Sequence, residues 1–409
     1  MQNTVYYIII GIIVASYIFE RILSYLNSKA ITSKLPAELD GIYDDEKYKK
    51  SQQYKKVNEK YGIITSTFSF ILIMIMLLAN GFAYVDGIVR SITVNPILIT
   101  ILFFGILLLV SDILNIPFSI YDVFVIEEKY GFNKTSVKTY IFDKIKGWVL
   151  GIIIGGGIMA AVVWIYLKTG QYFWLITWVV LILFSVFMNM FYSTLIVPLF
   201  NKQTPLEEGE LRNEIQKMAD KTGFKLDNIF LIDGSKRSTK ANAYFMGFGP
   251  KKRIVLYDTL LNELTNQEIV GVLAHEIGHY KLKHNILSII ISFIQTGITL
   301  YILSMLIDNP LLYKALGAKE PGFHLALITF GILYSPISSV VGLGMNVLSR
   351  RNEYAADAFA KKYYDGEMLI SSLKKLSSSA LSNLTPHPLY VFFHYSHPTL
   401  LQRIRAIRK

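Results

Sequence analysis

Seven long apolar stretches alternate with polar segments along the 409 residues of the chain. Each stretch has about the 20 residues that an α-helix needs to cross a bilayer. The stretches cover residues 5–26, 62–85, 96–118, 147–167, 172–198, 286–306 and 323–347. In the third, Asp112 interrupts the run and Pro117 is expected to kink or end the helix. The pattern predicts a mostly α-helical, polytopic membrane protein with seven transmembrane helices.

Two polar segments remain between and after these stretches. The first has an amphipathic helical pattern over Pro205–Thr222, followed by apolar runs typical of strands. These runs are Asn228–Ile232, Ala241–Phe248 and Arg253–Tyr257. A turn between the last two is indicated by Gly247, Gly249, Pro250, Lys251 and Lys252, which predicts a hairpin. The second polar segment opens with a helical pattern that continues from the seventh stretch.

The boundaries of these patterns divide the chain into four segments. We expect five membrane helices with basic loops in residues 1–200 and an α+β segment in 201–285. Membrane helices six and seven then occupy 286–348, and a polar C-terminal segment occupies 349–409. The amphipathic and β-rich elements of the second segment predict a compact α+β region at the membrane surface.

Composition supports the membrane assignment, since 52% of the residues are hydrophobic and only 17% are charged, unlike a soluble domain. The net charge is +11, and many of the lysines lie in the loops after the first and third stretches. These loops contain Lys47, Lys49, Lys50, Lys55, Lys56, Lys60, Lys129, Lys134, Lys138, Lys144 and Lys146. Because positive loops favour the cytoplasmic side, residues 201–284 and the C-terminal segment are expected to face the cytoplasm, with the N-terminus outside. The charge is therefore attributed to a membrane partner and not to nucleic acid.

The absence of cysteine excludes disulfides, thiolate-bound metal and a cysteine nucleophile. The chemistry of the chain is indicated instead by the run His275-Glu276-Ile277-Gly278-His279. Thr265 and Glu268 form a capping-box pattern that predicts a helix through this run. His275 and His279 then share one helix face and are candidate zinc ligands, beside Glu276 as the base that activates a water.

A catalytic zinc with two histidines needs a third protein ligand, and Glu353 is the best candidate. Asp357 lies four residues later on the same helix face, where it could orient a ligand histidine. The alternative is a surface pair of carboxylates bound to Arg350 or Lys361. A third histidine ligand is not expected, because His284 is rotated off the ligand face. The extended motif H-E-x-x-H-x-x-G-x-x-H would also need glycine and histidine where the chain has Leu282 and Asn285.

Six strings in the chain resemble the type I CAAX prenyl proteases, integral-membrane zinc metallopeptidases that process prenylated proteins and mating-factor precursors. The strings are Glu127–Asn133, Gly234–Ser238 through Asn242–Phe245, Arg253–Leu261, His275–His284, Glu353–Ala360, and Ser396–Pro398 with Arg403. They occur in family order across nearly the whole chain. One departure is Thr399, which stands where the family more often has a second proline.

The resemblance implies a fold and roles at matching positions. The fold would be a ring of seven helices around a water-filled chamber, with one zinc ion at its cytoplasmic end. His275, His279 and Glu353 would bind zinc, Glu276 would be the base and Asp357 would orient a ligand. The resemblance also implies that Asn242, with Ala243 and Tyr244 in the same strand, would hold the substrate backbone, and that His397 and Arg403 would stabilise the oxyanion.

The implied function is removal of the C-terminal tripeptide of prenylated CAAX proteins or peptides. Separately from the resemblance, the chain is expected to be a monomer. The membrane would be the endoplasmic reticulum in a eukaryote and the cytoplasmic membrane in a bacterium. From the residues alone, His397 is better explained as a loop histidine and Arg403 as one cation of a basic tail. Asn242 is equally well explained as a turn residue beside an internal strand. Two other functions stay open: a broad quality-control zinc protease of membrane proteins, and a carrier of lipids or prenylated proteins.

Overall fold

The computed structural model describes residues 4–30, 35–39, 41–224, 229–246 and 253–409. Within these ranges the chain is mostly helical. The helices are α1 (Thr4–Lys29), α2 (Asp45–Leu78), α3 (Gly81–Ile92), α4 (Pro96–Tyr121), α5 (Glu128–Tyr130), α6 (Val137–Leu150), α7 (Gly157–Thr169), α8 (Phe173–Leu195), α9 (Val197–Phe200), α10 (Glu210–Lys221), α11 (Asp258–Glu263), α12 (Asn266–Lys281), α13 (His284–Leu306), α14 (Pro310–Ala315), α15 (Phe323–Tyr363), α16 (Gly366–Ser379), α17 (Pro388–His394) and α18 (Leu400–Arg408). The strands are β1 (Gln203–Pro205), β2 (Ile229–Ile232), β3 (Ala243–Met246) and β4 (Arg253–Tyr257).

The chain is a multi-pass membrane protein. Its described part contains six continuous helical stretches that are long and apolar enough to cross a bilayer. They are Thr4–Lys29, Asp45–Leu78, Pro96–Tyr130, Val137–Phe200, His284–Leu306 and Phe323–Tyr363. The fourth contains two of the seven predicted spans, which meet at a turn where Gly170 has a φ of +52°. Large apolar side chains such as Ile152 and Leu183 are 73% and 64% exposed, as expected for residues that contact lipid.

The second and third predicted spans end at other residues in the structure. The second span ends at Leu78 and not near Val85, because Asn80 adopts a left-handed conformation (φ 53°) that breaks the helix before α3. The third span does not end at Pro117, since α4 continues through it and then through a π-helical turn at Asp122–Glu127.

The polar segment before α12 contains a four-stranded sheet with the order β1-β2-β4-β3. β2 and β4 are parallel, while β1 and β3 pair antiparallel with their neighbours. The predicted pairing of the last two strands is therefore confirmed; Asn228 and the turn residues Gly247–Lys252 lie outside the described residues. The three-residue strand β1 was not predicted, and the amphipathic helix begins at Glu210 instead of Pro205. β3 is an edge strand of this sheet.

Helix α12 lies in the core of the polar region, between α15 and α16. Its predicted capping box is present, with the Thr265 side chain accepting from the Glu268 backbone and the Glu268 carboxylate accepting from Thr265 N. Gly278 allows α15 to approach closely, since a Cβ there would lie 3.2 Å from Ala356 Cα. α15 continues unbroken from the membrane into this region, as predicted. The packing therefore brings the end of the seventh predicted span against the histidine helix.

Candidate metal centre and active site

The two histidines of α12 face each other one helical turn apart. Their Nε2 atoms are 3.1 Å apart, and the His275 side chain is 8% exposed against 17% for His279. The i, i+4 spacing on a helix produces this arrangement, as the sequence predicts. Two imidazole nitrogens therefore point to one small volume at the surface of the helix.

Glu353 of α15 completes this group. Its Oε2 lies 3.4 Å from His275 Nε2 and its Oε1 lies 3.2 Å from His279 Nε2. Within the described residues, these three side chains form the one group of acidic or histidine ligands spaced to hold a metal ion. Four-coordinate zinc with bonds of 2.0–2.1 Å has neighbouring donor atoms about 3.3 Å apart, so the observed separations fit it. Buried Glu353 Oε2 also has no hydrogen-bond partner, as expected of an atom placed for a metal.

Asp357 contacts the opposite side of His275. Its Oδ1 lies 2.9 Å from His275 Nδ1, and the residue is 1% exposed. Because a carboxylate only accepts, this contact places the proton on Nδ1 and leaves Nε2 directed at Glu353. Burial disfavours the charged imidazole, but the nearby Asp357 and Glu353 carboxylates outweigh it and raise the pKa of His275 to about 9.

Arg403 of α18 binds the same aspartate through two hydrogen bonds. Its Nε and Nη2 lie 2.9 Å and 2.6 Å from the two oxygens of Asp357. Nη1 lies 3.6 Å from Glu353 Oε2. Burial disfavours the guanidinium charge, but the Asp357, Glu353 and Glu276 carboxylates raise the pKa of Arg403. Arg403 is buried, whereas the neighbouring basic residues Arg405 and Arg408 are exposed.

The surface-pair alternative for Glu353 and Asp357 is also wrong. The two residues are 4% and 1% exposed, so neither belongs to a solvated helix face. Arg350 donates instead to the carbonyl oxygen of Tyr395 in the C-terminal segment. Burial of two carboxylates is costly unless they have charged or metal partners, and this pair has His275, His279 and Arg403.

His397 approaches the group from the loop before α18. Its Nε2 lies 3.3 Å from Glu353 Oε1, and its side chain is 62% exposed. Nδ1 lies 2.9 Å from Ser396 Oγ. Thr399, the residue that departs from the family pattern, begins α18 through a capping box with Gln402. The threonine thus supports the helix that carries Arg403.

One cavity of about 450 Å³ contains nearly all the predicted site residues. It is lined by Asn242, Ala243, Tyr244, His275, Glu276, His279, Glu353, His397 and Arg403. Asp357 is absent from this lining because it lies behind His275. Leu369, Leu373 and Leu376 of α16 form an apolar wall of the cavity, and Asn285, Ser288 and Ser349 lie on its polar wall. The cavity therefore combines a metal-binding group with room for a peptide.

The strand residues lie at the edge of the sheet and at the edge of this cavity. Asn242 is exposed and immediately precedes β3, where its Oδ1 accepts a hydrogen bond from Ala243 N. The alternative of an internal strand is wrong, because β3 pairs only with β4 among the described strands. Burial raises the pKa of Tyr244, against the effect of its hydrogen bond with Ser193 of α8. This contact places the strand beside a membrane helix.

His284 has a contact that sequence reasoning missed. It is 8% exposed, and its Nδ1 lies 3.1 Å from His279 Nδ1. Lys283 has a positive φ of 60° and turns the chain between α12 and α13, which returns His284 to the histidine cluster. His284 would be rotated off the ligand face if α12 continued, but the turn lets it contact His279. Residue spacing alone does not predict this contact.

Two family models cover the chain. Residues 24–202 match the CAAX prenyl protease N-terminal domain with five membrane helices, and residues 205–409 match peptidase family M48. The boundary between the matches falls at β1.

Curated relatives match over nearly the full length. A CAAX prenyl protease 1 homolog of Arabidopsis thaliana is 38% identical over 98% of this chain and 96% of its own length. CAAX prenyl protease 1 of Saccharomyces cerevisiae is 34% identical over 98% of this chain and 94% of its own length. The crystal structure of S. mikatae Ste24p superposes with a TM-score of 0.93 at 35% identity, covering 100% of both chains.

Proposed function

The chain belongs to peptidase family M48 with the CAAX prenyl protease N-terminal domain, so it is an integral-membrane metalloendopeptidase, and we propose that it removes the C-terminal tripeptide of prenylated CAAX proteins or peptides. The observation that carries the proposal is the convergence of two α12 histidines and a distant glutamate in one peptide-sized cavity. The names of the full-length relatives indicate the substrate class.

We assign His275, His279 and Glu353 as ligands of one zinc ion. The donor set of two imidazoles and a carboxylate is that of hydrolytic zinc sites, and the donor spacing fits four-coordinate zinc. When bound, zinc supplies a Lewis acid that polarises a peptide carbonyl and lowers the pKa of water toward about 7. Asp357 holds the proton on His275 Nδ1, so that Nε2 keeps its lone pair for the metal.

Glu276 moves the proton in this mechanism. It follows His275 on α12 and lines the same cavity, half-buried. Its carboxylate accepts a proton from the attacking water and delivers it to the nitrogen of the departing peptide. A base positioned in this way contributes about 10²–10⁴-fold to the rate.

His397 and Arg403 stabilise the negative charge that develops on the carbonyl oxygen. His397 Nε2 approaches the metal group from the open side of the cavity, whereas Arg403 lies deeper. Two of the Arg403 nitrogens hold Asp357, and Nη1 is the one nearest Glu353. Donors aimed at the site of developing charge lower the barrier because they need no reorganisation.

The substrate backbone adds to the edge of β3 that faces away from β4. An extended peptide can pair with an edge strand through its main chain, so that affinity does not depend on one sequence. Asn242, Ala243 and Tyr244 line the cavity at this edge. Asn242 fixes one end of the ladder, and the two strand residues continue it toward the metal group.

The four segments of the chain have distinct parts in this proposal. Residues 1–200 and 286–348 embed the protein, 201–285 supply the strand and the two histidines, and 349–409 supply Glu353, His397 and Arg403. The basic loops favour a cytoplasmic active site. We place the protein in the endoplasmic reticulum membrane of a eukaryote or the cytoplasmic membrane of a bacterium.

The decisive experiment compares three substrates with purified protein in detergent. A farnesylated CAAX peptide should release its C-terminal tripeptide, while the same peptide without farnesyl and an unfolded membrane protein should be cleaved more slowly. Chelation should abolish cleavage, and added zinc should restore it. Preferential cleavage of the unfolded protein would favour quality control instead. Retention of cellular function by Glu276→Gln would favour a carrier.

A further inference from the structure

The string Glu127–Asn133 does not line the cavity of the metal group, yet it pairs with the chain just before the substrate strand. Thr239 N donates to Phe132 O at 3.1 Å, and Lys134 N donates to Arg237 O at 3.0 Å. Asn133 and Ser238 form an antiparallel bridge between these two bonds. A short ladder thus joins the end of the third membrane span to the loop that leads into β3.

The span ends in a fixed geometry at this point. The π-helical turn Asp122–Glu127 precedes α5, and Gly131 ends the helix with a φ of +85°. Phe132 N and Asn133 N both donate to Glu127 O, at 2.8 Å and 3.2 Å. π-helical turns are rare and occur often at functional sites. The Glu127 side chain is therefore held at a defined position beside the ladder.

Lys240 connects this helix end to the strand loop. Its Nζ lies 2.6 Å from Glu127 Oε2 and 3.1 Å from Tyr54 OH, while Tyr54 donates to the other Glu127 oxygen. The ammonium also lies 4.5 Å from the centre of the Phe132 ring. A lone surface ion pair would contribute little. The pair of Lys240 and Glu127 is half-buried, and the ammonium also contacts Tyr54 and the Phe132 ring. Its hydrogen bonds are therefore charge-assisted and its orientation is fixed.

Lys240 is two residues before Asn242, and hydrogen bonds restrain the backbone at both residues. Lys240 O accepts from Thr259 Oγ1 at 3.1 Å, and Asn242 O accepts from Tyr257 N at 3.1 Å. Thr259 is 5% exposed. A displacement of Lys240 therefore shifts the start of β3 relative to the cavity, because the backbone is hydrogen-bonded to β4 and α11 on both sides of Ala241.

We propose that Glu127, Tyr54 and Lys240 form a clamp that holds the start of β3 in register with the metal group, so that these residues position the substrate. The inference rests on the proposed peptidase function and deepens it. None of the three lines the cavity, so the clamp acts through Asn242 and the strand. Its loss weakens substrate binding, while the metal ligands and Glu276 keep their geometry.

The test compares Glu127→Gln, Lys240→Met, both together, and the charge swap Glu127→Lys with Lys240→Glu. KM for the farnesylated peptide should rise about tenfold in each single variant, the effect of losing one charge-assisted hydrogen bond. kcat and zinc content should stay within about twofold of the wild type. The double neutral variant should be no worse than either single one, and the charge swap should recover most of the affinity. Glu208→Gln, which removes the exposed pair with Arg212, is the matched control and should change nothing.

Hydrogen exchange gives a readout that needs no activity. Amides of residues 241–246 should exchange about tenfold faster in Glu127→Gln, as expected for local opening at an edge strand, while those of α12 keep their protection. Unchanged KM and exchange, or a charge swap no better than the single variants, would overturn the clamp. If the wild type fails to cleave the peptide, the substrate proposal fails alone, and the exchange rates still decide the clamp.

Discussion

Asp357 Oδ1 lies 2.9 Å from His275 Nδ1, on the side of the imidazole away from Glu353. The two residues belong to α15 and α12, and Gly278 permits those helices to pack closely enough for the contact. Arg403 binds both oxygens of the same aspartate. One buried carboxylate therefore joins the metal-binding helix, the end of the last membrane span and the C-terminal helix.

Replacement of Asp357 by asparagine should lower zinc affinity about 10–100-fold, the usual cost of losing a partner of a ligand histidine. The amide keeps the volume but not the charge that fixes the Nδ1 proton and pairs with Arg403. Competition with a chromogenic chelator measures the affinity. Asp365→Asn is the control, because Asp365 only caps α16 and asparagine caps equally well. Equal zinc affinities for wild type and Asp357→Asn would refute the assigned role.

Replacement of Glu276 by glutamine should lower kcat about 10²–10⁴-fold, because the amide cannot accept a proton from water. Zinc content should remain at one ion per chain, since Glu276 is not assigned as a ligand. Metal analysis and peptide cleavage on the same preparation separate the two effects. A variant that retains wild-type kcat would exclude Glu276 as the base, whereas one without zinc would instead show a ligand or packing role.

Much of the site could be predicted because local spacing and donor chemistry determine it. The i, i+4 histidines need only a helix, and hydrolytic zinc needs a third oxygen or nitrogen donor, which led to Glu353. The contact of His284 could not be predicted, since it depends on the positive φ of Lys283 between two helices. Arg403 was expected at the oxyanion, and its bidentate bond to Asp357 depends on packing that no sequence pattern encodes.

The fold also has features that the sequence predicts and features that depend on packing. Hydrophobic length predicts where the chain crosses the bilayer, because the cost of burying polar groups in lipid is large. It does not predict where a helix breaks inside an apolar stretch, as at Asn80, or where an extra residue is accommodated in a π-helical turn, as at Asp122–Glu127. Such features depend on tertiary contacts whose free energy is smaller than that of placing one span in the bilayer.

Replacement of Gly278 by alanine should separate α12 from α15. The added Cβ would lie 3.1 Å from Phe359 Cβ and 3.2 Å from Ala356 Cα, tighter than ordinary contact. Overpacking of this kind costs about 1–3 kcal/mol, and the shift moves Glu353 away from the histidines. Lower thermal stability in detergent and weaker zinc binding are both expected.

Gly62→Ala provides the matched control for this substitution. Gly62 also lies inside a helix, but nothing is within 4 Å of its added Cβ. Alanine has the better helix propensity by about 1 kcal/mol, so this variant should be as stable as the wild type or more so. If Gly278→Ala matched it in stability and zinc affinity, close helix approach would not be what assembles the site.

The stability of the polar region should depend on pH because of Glu268, which lies in the first turn of α12. Burial alone would raise the pKa of Glu268, but bonds from Lys375, Ser371 and Thr265 outweigh it and lower the pKa to about 2. A carboxyl group with a depressed pKa stabilises the fold above its unfolded pKa, near 4.5. That contribution is lost as the pH falls from 4.5 toward 2.

Glu268→Gln should therefore unfold more readily at pH 7, by about 2 kcal/mol after allowance for the half-exposed Lys375. The difference from the wild type should shrink as the pH falls below 4.5, because the protonated glutamate loses its bond to Lys375 as the amide does. Thermal unfolding of both proteins between pH 7 and 3 measures the convergence. Glu208→Gln should unfold like the wild type at every pH, since Glu208 is exposed and its ion pair with Arg212 contributes little. A constant difference between Glu268→Gln and wild type at every pH would show that shape, and not charge, makes Glu268 stabilise α12.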